Sequence, residues 1–558
     1  MNCQLFWCRA VLAIQLFFIL SSFAAAQQAP AAEPPIFGEA LDVRVVNVEV
    51  VVTGKDGNRV SGLKPEDFLL RVDGKEVPIE YFTEVKEGRS VAPAPAEGEP
   101  ATEESGAVPG VGPEGVVPTW YLVFVDDYFP IAAHRNAVLK SLKDDLGRLG
   151  PNDRMAVVAW NGGRLSLVSN WSGSRRELEK AFDDAMARPA RGFDRLKELR
   201  NFQSDEAFAA TATDDGRVLD LAVLSSGFNE RESAYADSLV RQVQAAVGAT
   251  VSAMRGFAAP EGRKVLLLLS GGWPFSPQTY VRANIAPSRS LEDGDQLYRR
   301  LTDTANLLGY TIYPVDVPGI QREAAGATAE APADLALFNL GEQEIEGTLE
   351  FIAKETGGKS LVNSNRAIAL ASASSDTRSY YWLGFSPDWQ RNDKSHAMKV
   401  EVRRPGLQAR SRAGFLDLSR KTEVSMKVES ALLFGNLPGA VPLPMRLGAA
   451  QRSKKGTEVP ITLGLPVDLM TVVPVDGKYA AQLELRFIAS DSEGNSSEIP
   501  VIPISLSSDK PPTPGKMVKY ETRILLRRGQ ADHLVVAVYD PLSGKMATAE
   551  AKLEEEKK

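Results

Sequence analysis

The stretch "WYLVFVDDYFPIAAHRN", residues 120–136, decides the class of the fold. Tyr121-Leu122-Val123-Phe124-Val125 is apolar without alternation, the pattern of a central strand covered on both faces. It stops on two neighbouring carboxylates, Asp126 and Asp127. A helical pattern, "AAHRNAVLKSLKDDLGRL", follows, with Ala137, Leu139, Leu142 and Leu146 on one face. Open α/β sheets hold their ligands at the carboxyl ends of the strands. Two acids there read as metal ligands, as general bases, or as acceptors that cap loop and helix N–H groups.

Outward from this stretch, strands and helices alternate between residues 118 and 376. The strands "RMAVVAW" and "RLSLVS" precede a helix, "SRRELEKAFDDAMA", with a cap at Ser172 to Ser174. Residues 188–230 show no clear period. Then come a long amphipathic helix, "ESAYADSLVRQVQAAVGATVSAMRGF", a second fully apolar strand, "RKVLLLLSGG", and the helix–strand pairs "LYRRLTDTANLLGYTIYPVDV" and "EGTLEFIAKETGGKSLV". Such alternation predicts right-handed crossovers and a mainly parallel sheet with helices on both faces.

On either side the pattern is β. Residues 39–86 alternate over Val46, Val48, Val50 and Val52 and carry two Asp-Gly turns, which predicts a small N-terminal β domain. Residues 87–117, rich in Pro, Gly, Ala and Glu, read as a flexible linker. A β extension is expected over 377–418, and a C-terminal β-sandwich of short strands over 424–548, followed by a charged tail.

With 558 residues the chain exceeds one core, and three or four units are expected. Residues 1–26 read as a signal peptide: Arg9, the apolar "AVLAIQLFFILSSF", then "AAA" before Gln27. The same stretch is short for a spanning anchor, and no later segment reads as one. The expected location is periplasmic or extracellular, with no transmembrane anchor once the signal is removed. Both cysteines, Cys3 and Cys8, fall in the signal, so the mature chain is expected to hold no disulfide or cysteine ligand. Lys plus Arg total 64 against 72 Asp plus Glu, a formal charge of −8; losing Arg9 with the signal makes it −9. That balance argues against nucleic acid as a partner.

The order of these motifs resembles the von Willebrand factor type A domain, as found in exported type A-like proteins of the acidobacterial type. The resemblance covers about residues 40–418. It rests on "VVVTGKDGNRVSGLKPEDFLLRVDGKEVPIEYF", "VFVDD", "LGPNDRMAVVAW", "KVLLLLSGG", "LEFIAKETGGKSL" and "YYWLGFSPD" leading to "VRRPGLQARSRAGF". It implies a Rossmann-like α/β domain. In the family a divalent cation is often held by Asp-x-Ser-x-Ser after the first strand, a Thr from a later loop and an Asp after the fourth strand, one position staying open for a partner's carboxylate. Here Asp126 takes the first place, but Tyr128 and Pro130 stand at the serine places. Ser270-Gly271-Gly272 replaces the usual Thr-Asp-Gly. Thr211, Thr213, Asp214 and Asp215 could offer oxygens from the 188–230 insertion. The resemblance therefore implies a degenerate site: no cofactor is expected, and a cation such as Mg²⁺, with Asp126 as its weak ligand, is not favoured.

Other chemistry is thin. "ETGGKS" has Ala353 where a phosphate loop needs its first Gly, and reads as a helix stop. Ser270 lies in no Gly-x-Ser-x-Gly elbow. His134, His396 and His533 are too scattered for a zinc site or triad. "SDSEGN", 490–495, reads as a hairpin turn. Trp160, Trp171, Trp273, Phe275, Tyr128 and Phe129 fall near strand ends, either as anchors on one rim or as lids over the core. The expectation is an exported protein-binding module of adhesion or scaffold type, not an enzyme, with Asp126, Asp127, Tyr128, Ser270 and Trp273 as binding residues. The alternative is an envelope-associated hydrolase using the Asp126/Asp127 pair; a purely structural envelope component is the third reading.

Overall fold

The computed structural model describes residues 45–91, 115–195, 197–198, 221–257, 262–277, 294–317, 332–434, 441–449, 451–453, 456–475, 477–490, 499–526 and 533–553. The expected signal peptide, most of the linker, Thr211, Thr213, Asp214, Asp215 and most of "SDSEGN" lie outside these residues. What is described is a mixed α/β fold with several sheets.

In chain order the strands up to residue 417 are β1 (Val46–Thr53), β2 (Phe68–Val72), β3 (Lys75–Glu76), β4 (Tyr81–Lys86), β5 (Arg89–Val91), β6 (Thr119–Asp126), β7 (Arg154–Trp160), β8 (Leu165–Ser172), β9 (Arg263–Ser270), β10 (Tyr310–Asp316), β11 (Tyr380–Phe385), β12 (Lys394–Val402), β13 (Gln408–Arg410) and β14 (Gly414–Asp417). The helices are α1 (Ala132–Asp144), α2 (Arg175–Met186), α3 (Leu221–Gly256), α4 (Asp295–Leu308), α5 (Pro332–Glu355), α6 (Ala369–Arg378) and α7 (Arg420–Phe434).

The apolar runs form one sheet in the order β10-β9-β6-β7-β8. β10, β9, β6 and β7 are parallel, and β8 closes the edge antiparallel to β7. Side chains of alternate parity enter two cores. Leu122, Phe124, Leu266 and Leu268 meet α3 and α4 through Val243, Val247, Leu301 and Ala305. Tyr121, Val123, Val125, Leu267 and Leu269 meet α1, α2 and α6 through Leu139, Leu142, Phe182 and Leu370. On α1 the buried face runs through Val138, not the expected Ala137. Helix α3 begins at Leu221, earlier than its period suggested. The last helix–strand pair ends differently: α5 stops at Glu355 before "TGGKS", and Leu361 joins β10 by a single bridge.

The two flanking β segments do not form separate units. β1 runs antiparallel to β11, with Val48 opposite Leu383, in a sheet ordered β13-β1-β11-β4-β5. β2 pairs with β12 in a second sheet, β14-β12-β2-β3, and the two share a core of Val48, Val50, Phe68, Leu70, Leu383, Val400 and Phe415. The expected boundaries 39–86 and 377–418 are thus two halves of one module, because neither half alone can satisfy its strand edges. The linker also shortens. Arg89–Val91 pairs with β4 and Arg89 bridges Val116, so both ends of 87–117 belong to the sheet.

Asp376 ties this module to the parallel sheet. It pairs with Arg59 and Arg410 and accepts the Tyr313 hydroxyl at 2.6 Å. Burial pushes its carboxyl up, but the guanidiniums of Arg410 and Arg59 prevail and hold it below the usual carboxylate range. Close by, the Arg263 guanidinium lies 4.2 Å from the centre of the Tyr380 ring.

Beyond residue 424 only short strands were expected; instead Arg420–Phe434 is a helix, α7, burying Val424, Val428 and Ala431 at helical spacing. Buried Arg486 holds it, donating to the Lys421 carbonyl at 2.9 Å and the Ser425 hydroxyl at 2.8 Å. The strands that follow make two sheets, built on Gly456–Pro466 with Met517–Leu526 and on Lys478–Ser490 with Val501–Ser508 and His533–Tyr539. Leu463, Leu465, Leu485, Val536 and Val538 lie in their common core.

Candidate functional site

From the gap between β6 and β9 the chain builds the sheet outward in both directions, through β7 and β8 on one side and β10 on the other. That gap is the switch point, where loops leaving adjacent strands diverge and open a crevice. Asp126 ends β6 and Ser270 ends β9, one step beyond the paired Val125 and Leu269. Two sequence-predicted residues therefore meet at the one place where this topology favours a ligand.

The chain's own side chain occupies it. Asp126 is fully buried. Its Oδ1 accepts the backbone N–H of Tyr128 at 2.8 Å and of Phe129 at 3.1 Å, while Oδ2 accepts the Trp273 indole N–H at 3.0 Å. Trp273 is itself fully buried and stacks on Tyr298, centroids 6.4 Å apart and planes 7° from parallel. Burial pushes the Asp126 carboxyl up to about 7, against the pull of these three N–H donors.

Asp127 faces the other way. Its carboxylate pairs with buried Arg135 of α1 and, at 2.7 Å, with Arg188, while its carbonyl accepts the Arg191 N–H at 2.8 Å. Arg135 also donates to the carbonyls of Met186 and Arg188, at 3.3 and 2.7 Å. Burial pushes the Asp127 carboxyl up while both guanidiniums draw it down. One acid thus binds into the Trp273 side of the sheet and the other into the α1 side, so the pair does not converge on a common substrate. Neither caps the helix: Ile131 precedes α1 without a side-chain acceptor, and the capping is confined to the loop N–H groups.

The donor set does not fit a hard cation, which needs several free oxygens. The oxygens of Asp126 already face N–H groups, and Tyr128 and Pro130 bring no ligand. Gly271 brings no ligand either, and its place leaves no room for one. A Cβ there would lie 1.7 Å from the Val317 carbonyl oxygen, because the Val317 N–H bonds the Ser270 carbonyl at 3.0 Å and keeps this loop against β10. No side chain can stand at position 271. Among the described residues no cluster of three His, Cys, Asp or Glu is placed to hold a metal. The Ser270 hydroxyl is buried and finds no hydrogen-bond partner among them.

Of the six aromatics expected near one rim, Trp160, Trp273 and Phe129 are buried as core lids. Trp171 is at the opposite edge of the sheet, since β8 runs antiparallel, and packs on Trp120 and Phe257 at 5.2 Å each. Phe275 packs on Tyr298 and Phe351. Tyr128, next to the acids, is half-buried against Trp160 at 5.4 Å.

The exposed part of this edge comes from residues the sequence did not single out. Residues 191–195 lie across the loop after β6: the Gly192 N–H bonds the Pro130 carbonyl at 3.2 Å, and a Cβ on Gly192 would come within 2.5 Å of that oxygen. Arg195, buried, places its guanidinium 5.4 Å from the Phe129 ring centre and 5.8 Å from that of Tyr128. Phe193 is left 63% exposed on this short helical segment. A lone Phe in an unpatterned stretch carries no signal of that placement.

No family model matches the chain, and no curated protein does. Among solved structures it is similar to the N-terminal domain of TFIIH p34, with 14% identity over 46% of this chain and 95% of that one and a TM-score of 0.18. The pilus adhesin SpaC from Lactobacillus rhamnosus GG shows 9% identity over 79% of this chain and 57% of the adhesin, TM-score 0.19. A β-glucosidase from Kluyveromyces marxianus in complex with glucose shows 10% identity over 55% of this chain and 33% of the enzyme, TM-score 0.15. Likeness at this level carries no argument about fold or activity. Among the described residues no helix is long and apolar enough to cross a membrane.

Proposed function

We propose that the chain is an exported protein-binding module of the type A-like kind, working without a resident cation and without catalysis. One observation carries the reading: the acids of the switch point are engaged inward by Trp273, Arg135 and Arg188, while the same edge presents Phe193 on a segment locked to the loop after β6. An exposed aromatic on a segment held to the strand-end loop suits a protein interface, because it offers apolar area at little entropic cost. The order β10-β9-β6-β7-β8 supports the type A-like reading, and the run before Gln27 supports export. A hydrolase would need Asp126 and Asp127 to share a substrate, against their opposite orientation.

The test is site-specific photo-crosslinking in the native host, with a benzophenone side chain replacing Phe193 or, as control, exposed Leu525 of the C-terminal strands. One discrete adduct from Phe193, absent from Leu525 and weakened by Tyr128→Ala, is expected. Identical adducts from both positions, or none from Phe193, would remove the rim from consideration.

A further inference from the structure

A cleft of about 300 Å³ opens where the two sheets of the 46–91/380–417 module part, at the ends of β2 and β11. Its floor is Phe415, buried, with the His396 imidazole stacked on it at 5.1 Å and 18° and Trp389 edge-on at 5.7 Å. Its walls carry Asp73, Glu80, Asp388 and Asp417 against one lysine, Lys75. Two features keep this arrangement in shape before any ligand arrives. Asp417 accepts the N–H groups of Gln390 and Arg391, at 2.8 and 3.0 Å, which fixes the loop bearing Trp389. Asp73 accepts from the Ala397 N–H at 2.9 Å and meets His396 Nδ1 at 2.7 Å, which fixes the imidazole over Phe415.

We propose that this cleft receives an arginine side chain presented by a partner polypeptide. Its volume sits at the lower bound of ligand clefts, about 300 Å³, and suits one side chain. The indole face of Trp389 attracts a cation, and a planar guanidinium stacks on it as an ammonium cannot, while Phe415, covered by His396, serves as the floor. The wall carboxylates supply the opposite charge; Asp73 is held ionised chiefly by its hydrogen bond to His396. Glu80, with Oε2 on the Ser386 hydroxyl at 2.7 Å, and Asp388, at the exposed rim, are the acids that can reach the guanidinium N–H fork. The site is separate from the Phe193 rim and stands or falls independently of it.

The experiment uses the full chain labelled with 5-fluorotryptophan, the Trp389 resonance being assigned through Trp389→Phe. A Gly-Gly-Arg-Gly-Gly peptide with blocked ends is titrated against the same peptide carrying citrulline, the neutral isostere. A saturable shift confined to the Trp389 resonance is expected with arginine only, weakened at least fivefold by Glu80→Gln with Asp388→Asn, both surface changes that leave the other tryptophan resonances in place. An equal response to citrulline or to a neutral oligosaccharide overturns cation recognition. Absence of any saturable response at millimolar arginine peptide overturns the site.

Discussion

Trp273→Phe removes one N–H donor from Asp126 while keeping an aromatic ring in the switch-point crevice. Both partners are fully buried, so water cannot replace the lost bond. A hydrogen bond to an ionised carboxylate contributes about 1.5–3 kcal/mol, and one to a neutral acid about 1 kcal/mol. The Asp126 carboxyl titrates at about 7 in the folded chain and near ~3.9 when unfolded. Its folded value being raised, its share of stability is fully present below the unfolded value, falls away as pH rises toward 7 and is absent above. Three units amount to about 4 kcal/mol. The indole favours the charged form, so Trp273→Phe should raise the Asp126 value further and cost more at pH 9, about 2 kcal/mol, than at pH 5, about 1 kcal/mol. The gap left by the smaller ring adds a term independent of pH. Hydrogen-exchange protection of 119–126 and 263–270 in the full chain, compared with wild type at each pH, reads the difference and cancels other titrations. An equal loss at both pH values, or one that grows on acidification, refutes the assignment of Asp126 as the buried acceptor.

Ser270→Ala should stabilise the same strands by about 1 kcal/mol by removing a buried hydroxyl that has no partner among the described residues; a loss of that size in the same measurement would reveal an engaged oxygen. Arg135→Met should lose about 3–5 kcal/mol at pH 8, because Asp127 is left buried with Arg188 alone, and a loss under about 1 kcal/mol in thermal unfolding would make Arg135 dispensable. Gly271→Asp, which supplies the acid that the proposed type A-like reading would look for, should destabilise by about 3 kcal/mol or more through collision with the Val317 carbonyl. It should also show no rise in melting temperature with millimolar Mg²⁺, and a saturable rise would reopen the cation site. Under the proposed export, mass spectrometry of the chain recovered from its host should find Gln27 as the first residue; an unprocessed terminus would contradict the signal reading.

The central sheet was legible because a strand covered on both faces needs an unbroken apolar run, and "WYLVFV" and "RKVLLLL" supply it. Their alternation with helical periods is enough to put Asp126 and Ser270 at one edge. Helix α7 is equally legible in the spacing of Val424, Val428 and Ala431, although short strands surround it in sequence. What composition and period cannot contain is the identity of a partner. β1 reads as a strand from its own valines, yet its neighbour β11 begins more than three hundred residues later. Asp127 reads as an acid in want of a counterion, and Arg188, one of its two, comes 61 residues on. Trp160, Trp171 and Trp273 look alike as residues at strand ends; strand direction sends Trp171 to the far edge, while the loop after β9 brings the indole of Trp273 onto Asp126. Local sequence determined which groups must be buried, extended or charged, since those follow from side-chain chemistry and spacing. The tertiary structure decided whether the acids of the switch point face a ligand or the protein itself, because a hydrogen-bond donor or a countercharge is assigned by proximity in space.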